Sequence, residues 1–488
     1  MKKFLLSICL MTWMPFLAQI YTTPNTGVTW TLDDIAAQSP STVTVSGSTY
    51  TLSENLTVAA NDTVLINSDL TLEVESGILI TVFGTFNVDA DNVTITAADP
   101  NAPYEGLRFE EFSNINIQNA TISYGGGLRV LTETFTLNNC TITNNVEGAT
   151  TGGVISLSRG KPQITNNTIT FNQLPAISSG ANNTVSAYIF NNYIEGNNQE
   201  NSNRPQINLG LTMANDTLKI IQNTIKGDRS LNMVGGIAVA NFLGGNILAI
   251  IDGNTITDNR YGMTIVGNNA FAYVRDNIIE NNDTQGQPNL GGSGISLNTT
   301  SPPMEIIASG NAFRGNLWGI TVIGQASINL GDGIENMGEN VFANNGNGGS
   351  VYALYNNTPN TILALNNCWD ENNLPNTLEI AEDVIVHQND ISTLGEVLFD
   401  PVNCSFLGVE EVALGEFRLY PNPSDGNLSF DNQMRFDTLR IFDLMGRLVL
   451  TPQIGPGKNH LMLNLNNGVY FAEFSNTSSK LTKKIIIE

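Results

Sequence analysis

Short runs of alternating apolar and polar residues fill most of the chain, and they recur in one frame, Asn-x-apolar-x-x-Asn. It is seen in Asn167-Thr168-Ile169 followed by Asn172, and again at residues 192–197, 254–259, 277–282, 311–316, 340–345 and 367–372. Related copies centre on Ile122, Ile142 and Ile225, and successive apolar anchors are 20 to 34 residues apart, about 27 on average. A second short run, opened by glycine, follows in many copies: Gly236-Ile237-Ala238-Val239, Gly262-Met263-Thr264-Ile265, Gly294-Ile295-Ser296-Leu297 and Gly319-Ile320-Thr321-Val322. The runs are β-branched and of period two, and helical spacing is not sustained anywhere. A self-similar period of this length predicts a parallel β-solenoid, one coil per copy. Residues 70–74 and 83–88 fit earlier coils of the same kind.

Stacking coils at about 4.8 Å piles equivalent residues into columns. The anchor column then fills the core. Asparagine stands two residues before the anchor in eight of ten copies, and three after it in eight of ten, with Gly125 and Asp228 as the exceptions. Asparagine tolerates left-handed backbone, and its amide can donate to one coil while accepting from the next. Both columns are therefore expected to hold corners rather than ligands.

The two ends read differently. Lys2 and Lys3, the apolar stretch from Phe4 to Leu17 and the small Ala18 predict a signal peptide over residues 1–18. No later apolar stretch reaches transmembrane length. Residues 417–488 hold eight basic and six acidic residues, whereas residues 19–416 hold 11 basic and 39 acidic ones, a charge of −28. This shift marks a domain boundary. Alternating runs such as Leu439-Arg440-Ile441-Phe442 and Val469-Tyr470-Phe471, separated by Pro421-Asn422-Pro423, Asp425-Gly426 and Asn467-Gly468, predict a small antiparallel β-sandwich.

The motifs Leu419-Tyr420-Pro421-Asn422-Pro423, Ile441-Phe442-Asp443-Leu444-Met445-Gly446-Arg447, Gly468-Val469-Tyr470 and Lys483-Lys484-Ile485-Ile486-Ile487 resemble the type IX secretion C-terminal sorting domain. The resemblance implies type IX secretion machinery as partner, through residues 417–488. It also implies export across the outer membrane of a Gram-negative bacterium, removal of the tail, and release or attachment at the cell surface. The repeats resemble the right-handed parallel β-helix, whose members include pectate-lyase-like enzymes, over roughly residues 43–406. Trp369, Ile385-Val386-His387, Asp390 and residues 395–401 resemble the segment that closes such stacks, although Asp370 stands where that pattern shows glycine. The expected organisation is all-β: a lead-in over 19–42, a right-handed parallel β-helix over 43–408, a linker over 409–416 and the sandwich over 417–488.

Composition narrows the chemistry. The chain holds 66 asparagines and only two histidines, and its net charge is −24. The acidity excludes nucleic acid as a partner, and the histidine count argues against a His-rich zinc site or a Ser-His-Asp triad. Of the three cysteines beyond the signal peptide, Cys368 and Cys404 flank one segment and are the expected disulfide, leaving Cys140 as a buried thiol. The paired aspartates and Gly-His-Gly arrangement of polygalacturonase-like hydrolases are missing; Arg159-Gly160-Lys161 has only the spacing of their Arg-x-Lys.

One cluster stands out in a region so poor in bases. Four residues after the anchor, one column reads Asn198, Arg229, Arg260, Asp283. The column after the anchor reads Glu195, Lys226, Thr257, Glu280, Arg314. In a uronate lyase, Arg229 or Arg260 would serve as base or carboxylate clamp, with Asp228, Asp258 and Glu280 holding calcium. The competing reading is a surface ladder of alternating sign that relieves repulsion between stacked charges. Tyr261 and Trp318 occupy one repeat position before glycine and are candidates to stack on sugar rings, or else to pack at the corner. Insertions over 198–206 and 283–293 follow the same corner and could wall a groove. His387 reads as part of the closing segment rather than as a catalyst. Two functions remain open: a secreted or cell-surface binding and structural protein that contacts polysaccharide, surface glycan or other surfaces, and a polysaccharide lyase or hydrolase.

Overall fold

The computed structural model describes residues 20–407, 417, 419–432, 436–444, 446–476 and 480–488. They divide after Cys404 into two compact units. The signal peptide expected over 1–18 and the linker expected over 409–416 lie outside the described residues.

The first unit is a stack of coils forming three long sheets. The chain visits the sheets in a fixed order, as in Val93–Ala97, Gly106–Phe109, Asn114–Gln118 and back to Ala120–Ser123. The first sheet has 13 strands and holds the anchors: Ile122, Ile142, Ile169, Ile194, Ile225, Ile256, Ile279, Phe313 and Phe342 pair in turn on neighbouring rungs. All of them are buried. Fully burying one such side chain stabilises by roughly 1.5–3 kcal/mol. The second sheet has 14 strands and contains the glycine-led runs, from Ile20–Thr22 to Ile385–Val386. The third, also of 14 strands, runs from Thr29–Trp30 to Val397–Leu398. Apart from the antiparallel pair Val43–Ser46 and Thr49–Leu52, the neighbours in all three are parallel.

Both asparagine columns are hydrogen-bonded ladders. In the first, each member gives its backbone N–H and its side-chain amide to the Oδ1 of the next. Thus Asn167 donates to Asn192 at 2.9 Å twice, and the pattern runs on through Asn223, Asn254, Asn277, Asn311 and Asn340 to Asn367. The second amide hydrogen goes back to a carbonyl of the preceding coil, as from Asn254 to Ile220 at 2.8 Å. The second ladder runs Asn145, Asn172, Asn197, then Asn259, Asn282, Asn316, Asn345. Where the repeat substitutes Asp228, Gln206 fills the rung from a different segment: its Oε1 accepts from Asn197 and its Nε2 donates to Asn259 at 3.1 Å.

Three expectations change here. Left-handed backbone belongs to the residue just before each ladder position, such as Asn166, Asn191 and Asp276 in one column and Asn144, Phe171 and Asn281 in the other. The ladder asparagine itself is spent on hydrogen bonds. The stack also begins earlier than residue 43: Ile20–Thr22 and Thr29–Trp30 pair with Asn55–Val58 and Thr63–Ile66. The helix Leu32–Gln38, started by a Thr31/Asp34 capping box, buries Leu32 and Ile35 against that end of the core. These segments are too short to display a period. Finally, the third sheet had no marker of its own, because its strands fall between the glycine-led run and the asparagine.

At the far end, Phe313, Phe342 and Trp369 stack with ring centroids 5.0 and 4.9 Å apart. The helix Leu378–Val384 follows, and a disulfide joins Cys368 to Cys404. His387 is buried in this closing segment. Its Nδ1 accepts the Val397 N–H at 3.1 Å, so its proton sits on Nε2, 3.2 Å from a Glu382 carboxylate oxygen.

The second unit pairs Asn427–Asn432 with Gly457–Met462 and forms a four-stranded antiparallel sheet from Leu448–Leu450, Thr438–Phe442, Gly468–Ser475 and Lys480–Ile487. Phe417, Phe430, Phe436 and Phe474 form its core. Asn422 of the Pro-Asn-Pro motif clamps the last strand, donating to the Lys484 carbonyl at 2.8 Å and accepting from Ile486 N–H at 2.9 Å.

Candidate functional site

The outer face of the second sheet becomes a groove of about 640 Å³ over four coils. Its floor is the outward side chains of consecutive rungs, including Thr264, Ser296, Thr321 and Tyr355, which are in register. One wall is made by Pro288 to Gly291 of the 283–293 insertion, and Asn203 comes from the 198–206 insertion. The two insertions thus meet on one edge, because both leave the stack at the same asparagine corner.

Arg260 joins them. It is only 7% exposed. Its Nε donates to Gln285 Oε1 at 2.6 Å, one terminal nitrogen to the Leu290 carbonyl at 2.6 Å and the other to Asn203 Oδ1. All three acceptors are neutral, and Arg260 is the only charged residue among those lining the groove. Removing a charge from water without a counter-charge is costly, and none of the three acceptors supplies one.

Tyr261 and Trp318 line the same groove. The Tyr261 ring covers Gly235, where a Cβ would come within 2.2 Å of it, and burial pushes its phenol up to about 12. Trp318 donates from Nε1 to the Pro288 carbonyl at 2.9 Å, and its ring lies 4.5 Å from that of Tyr352 and 5.5 Å from Tyr355, stacked on the latter. Tyr352 and Tyr355 escaped the sequence reading. They follow an irregular stretch, and only the stacking of coils of unequal length brings them to Trp318.

Arg229 is not among the groove-lining residues. It reaches forward to Asp258 at 2.9 Å and Asp283 at 2.8 Å, and these carboxylates raise its already high pKa. Asp228 accepts from the Ser230 N–H and hydroxyl, which lowers its pKa. Glu280 faces Arg314 at 3.4 Å, and Arg314 also grips Glu371 through two nitrogens, while Lys226 pairs with Glu195 at 2.8 Å. Apart from Arg260, the charged members of these columns pair with opposite charges on other coils. Asp228, Asp258 and Glu280, the expected calcium ligands, each have a different partner, and among the described residues no group of three or more such ligands converges. Arg159 and Lys161 pair with Glu111 and Asp216. Cys140 is a buried thiol whose pKa burial pushes up to about 11.

Residues 418–488 match the family model of the secretion system C-terminal sorting domain. No curated protein matches the chain. Among the described residues no helix is long and apolar enough to cross a membrane.

Proposed function

Starting from a chain that its sorting domain commits to type IX export, to the cell surface or the medium, we propose that the β-helix binds acidic glycan in the groove around Arg260. The bacterium is Gram-negative and the outer membrane is the boundary crossed. The observation that carries this reading is the buried Arg260 guanidinium, held by neutral oxygens beside Tyr261, Trp318 and Tyr355. A sugar carboxylate or sulfate brings the missing counter-charge, and charge-assisted hydrogen bonds contribute about 1.5–3 kcal/mol each. The aromatic rings offer apolar surface for the C–H faces of sugar rings, and the floor of threonine, serine and asparagine offers hydroxyl and amide partners.

Binding is favoured over cleavage by the same residues. No carboxylate lines the groove, so hydrolysis has no acid–base pair there. As a lyase base, Tyr261 would have to lose a proton that burial holds more tightly. Calorimetric titration with uronic-acid oligosaccharides should give saturable binding that Arg260→Gln weakens by about ten- to a hundredfold, with Trp318→Ala also weakening it. Equal affinity for neutral and acidic oligosaccharides, or an unchanged Arg260→Gln variant, refutes the assignment. Incubation with uronic-acid polymers should give no unsaturated product in the ultraviolet; such product would make the protein a lyase.

A further inference from the structure

We propose that the groove continues into a second, uncharged compartment walled by Phe242, and that the two together select a mixed glycan: an anionic sugar at Arg260 joined to a neutral sugar at Phe242. This rests on the glycan-binding reading of the Arg260 groove and adds which sequence of sugars fits.

A depression of about 320 Å³ adjoins the groove, and Val266 and Asn298 line both, so the two form one tract. The strands beneath run along it: Ser293–Thr299, seven residues long, spans about 23 Å. That is long enough for several pyranose rings in a row. None of the residues lining the second compartment is charged. The anion-seeking group is therefore confined to one end.

Phe242 is 68% exposed, yet its loop is fixed. Asn241, only 5% exposed, donates to the Gly245 carbonyl at 2.9 Å and to the Asn268 carbonyl at 2.8 Å, and its Oδ1 accepts from Gly244 N–H at 3.0 Å. Gly267, at φ +100°, packs so closely that a Cβ would lie 2.1 Å from the Asn241 carbonyl oxygen. The loop that carries this large aromatic ring is thus held by a buried polar brace, at a position where the ring itself gains little from the core. A loop ordered in advance loses little entropy on binding. Opposite, Thr299 Oγ1 donates to the Ser301 carbonyl at 2.7 Å, ordering the second wall.

The test uses the full chain with three probes: an acidic disaccharide, a purely uronic hexasaccharide and a hexasaccharide alternating acidic and neutral sugars. The alternating probe should bind tightest. Phe242→Ala should cost it about tenfold in Kd and leave the acidic disaccharide unchanged, whereas Arg260→Gln should weaken all three. Phe242 lies at the surface, so its variant keeps the fold; an unchanged melting curve checks this. Equal affinity for the two hexasaccharides, or an alternating probe indifferent to Phe242→Ala, overturns the second compartment while leaving Arg260 binding intact. No binding of any probe removes the glycan reading itself and this inference with it.

Discussion

Asn254 illustrates how much one repeated residue does. Its Oδ1 receives two hydrogen bonds from Asn223, and its own amides reach Asn277, Ile220 and Asp252. Asn254→Ala leaves the buried backbone N–H of Asn223 without an acceptor, at about 1–3 kcal/mol, and takes one of three acceptors from its side-chain amide. A loss of that order is expected, seen as a lower midpoint in urea melts. An exposed asparagine such as Asn101 should tolerate the same change. A different residue ties one turn to pH. Asp332 accepts the backbone N–H groups of Ile334, Glu335 and Asn336, which lower its carboxyl pKa to about 2. A carboxyl with a depressed folded pKa supports its turn above the unfolded value of about 4 and loses that support as pH falls towards 2. Protection of the Ile334 to Asn336 amides, measured as exchange relative to the intrinsic rate at each pH, should fall across that window, and Asp332→Asn should remove that fall. At this scale the sequence was informative where identity repeats: the anchors and both asparagine columns were legible. Gln206 was not, since its role depends on a vacancy left by Asp228 one coil away. Arg229 and Arg260 could not be told apart for a related reason. Arg229 neighbours Arg260 in register, but its side chain follows the carboxylates rather than the groove.

At the level of elements, coil periodicity predicted two of the three sheets. The third strand of each coil, for example Ile247–Asp252 or Ala270–Arg275, alternates as cleanly as the others. It lacks only a fixed punctuating residue, so nothing in the sequence separates it from connecting chain. The groove was half legible: the insertions and their common corner could be read from coil lengths, but how far each loop folds back could not. The closing segment gives a further prediction. The Cys368–Cys404 disulfide spans 36 residues of separation, and a crosslink over such a loop stabilises by about 3–4 kcal/mol in the chain-entropy account. Cys404→Ser should make residues 368–404 the first part of the stack to be cut by protease, while the groove coils stay protected.

For the whole molecule, charge and address separate. The region 19–416 carries −28 and the sorting domain about +2. Deleting residues 417–488 should leave the protein in the periplasm, measured by fractionation; normal export of the truncation would contradict the assignment of the tail. In so acidic a body, the groove is lined by a single charged residue, and that residue is a cation. The asparagine ladders add one more property. From Asn167 to Asn340 every amide of the first ladder turns one N–H towards the last coil, onto an oxygen that faces the first. Strand carbonyls in the sheets alternate and cancel, but these amides add head to tail and polarise one another. The stack therefore carries an electrical direction along its axis. A coil inserted backwards, or a second stack annealed end to end in the wrong sense, would meet oxygen with oxygen.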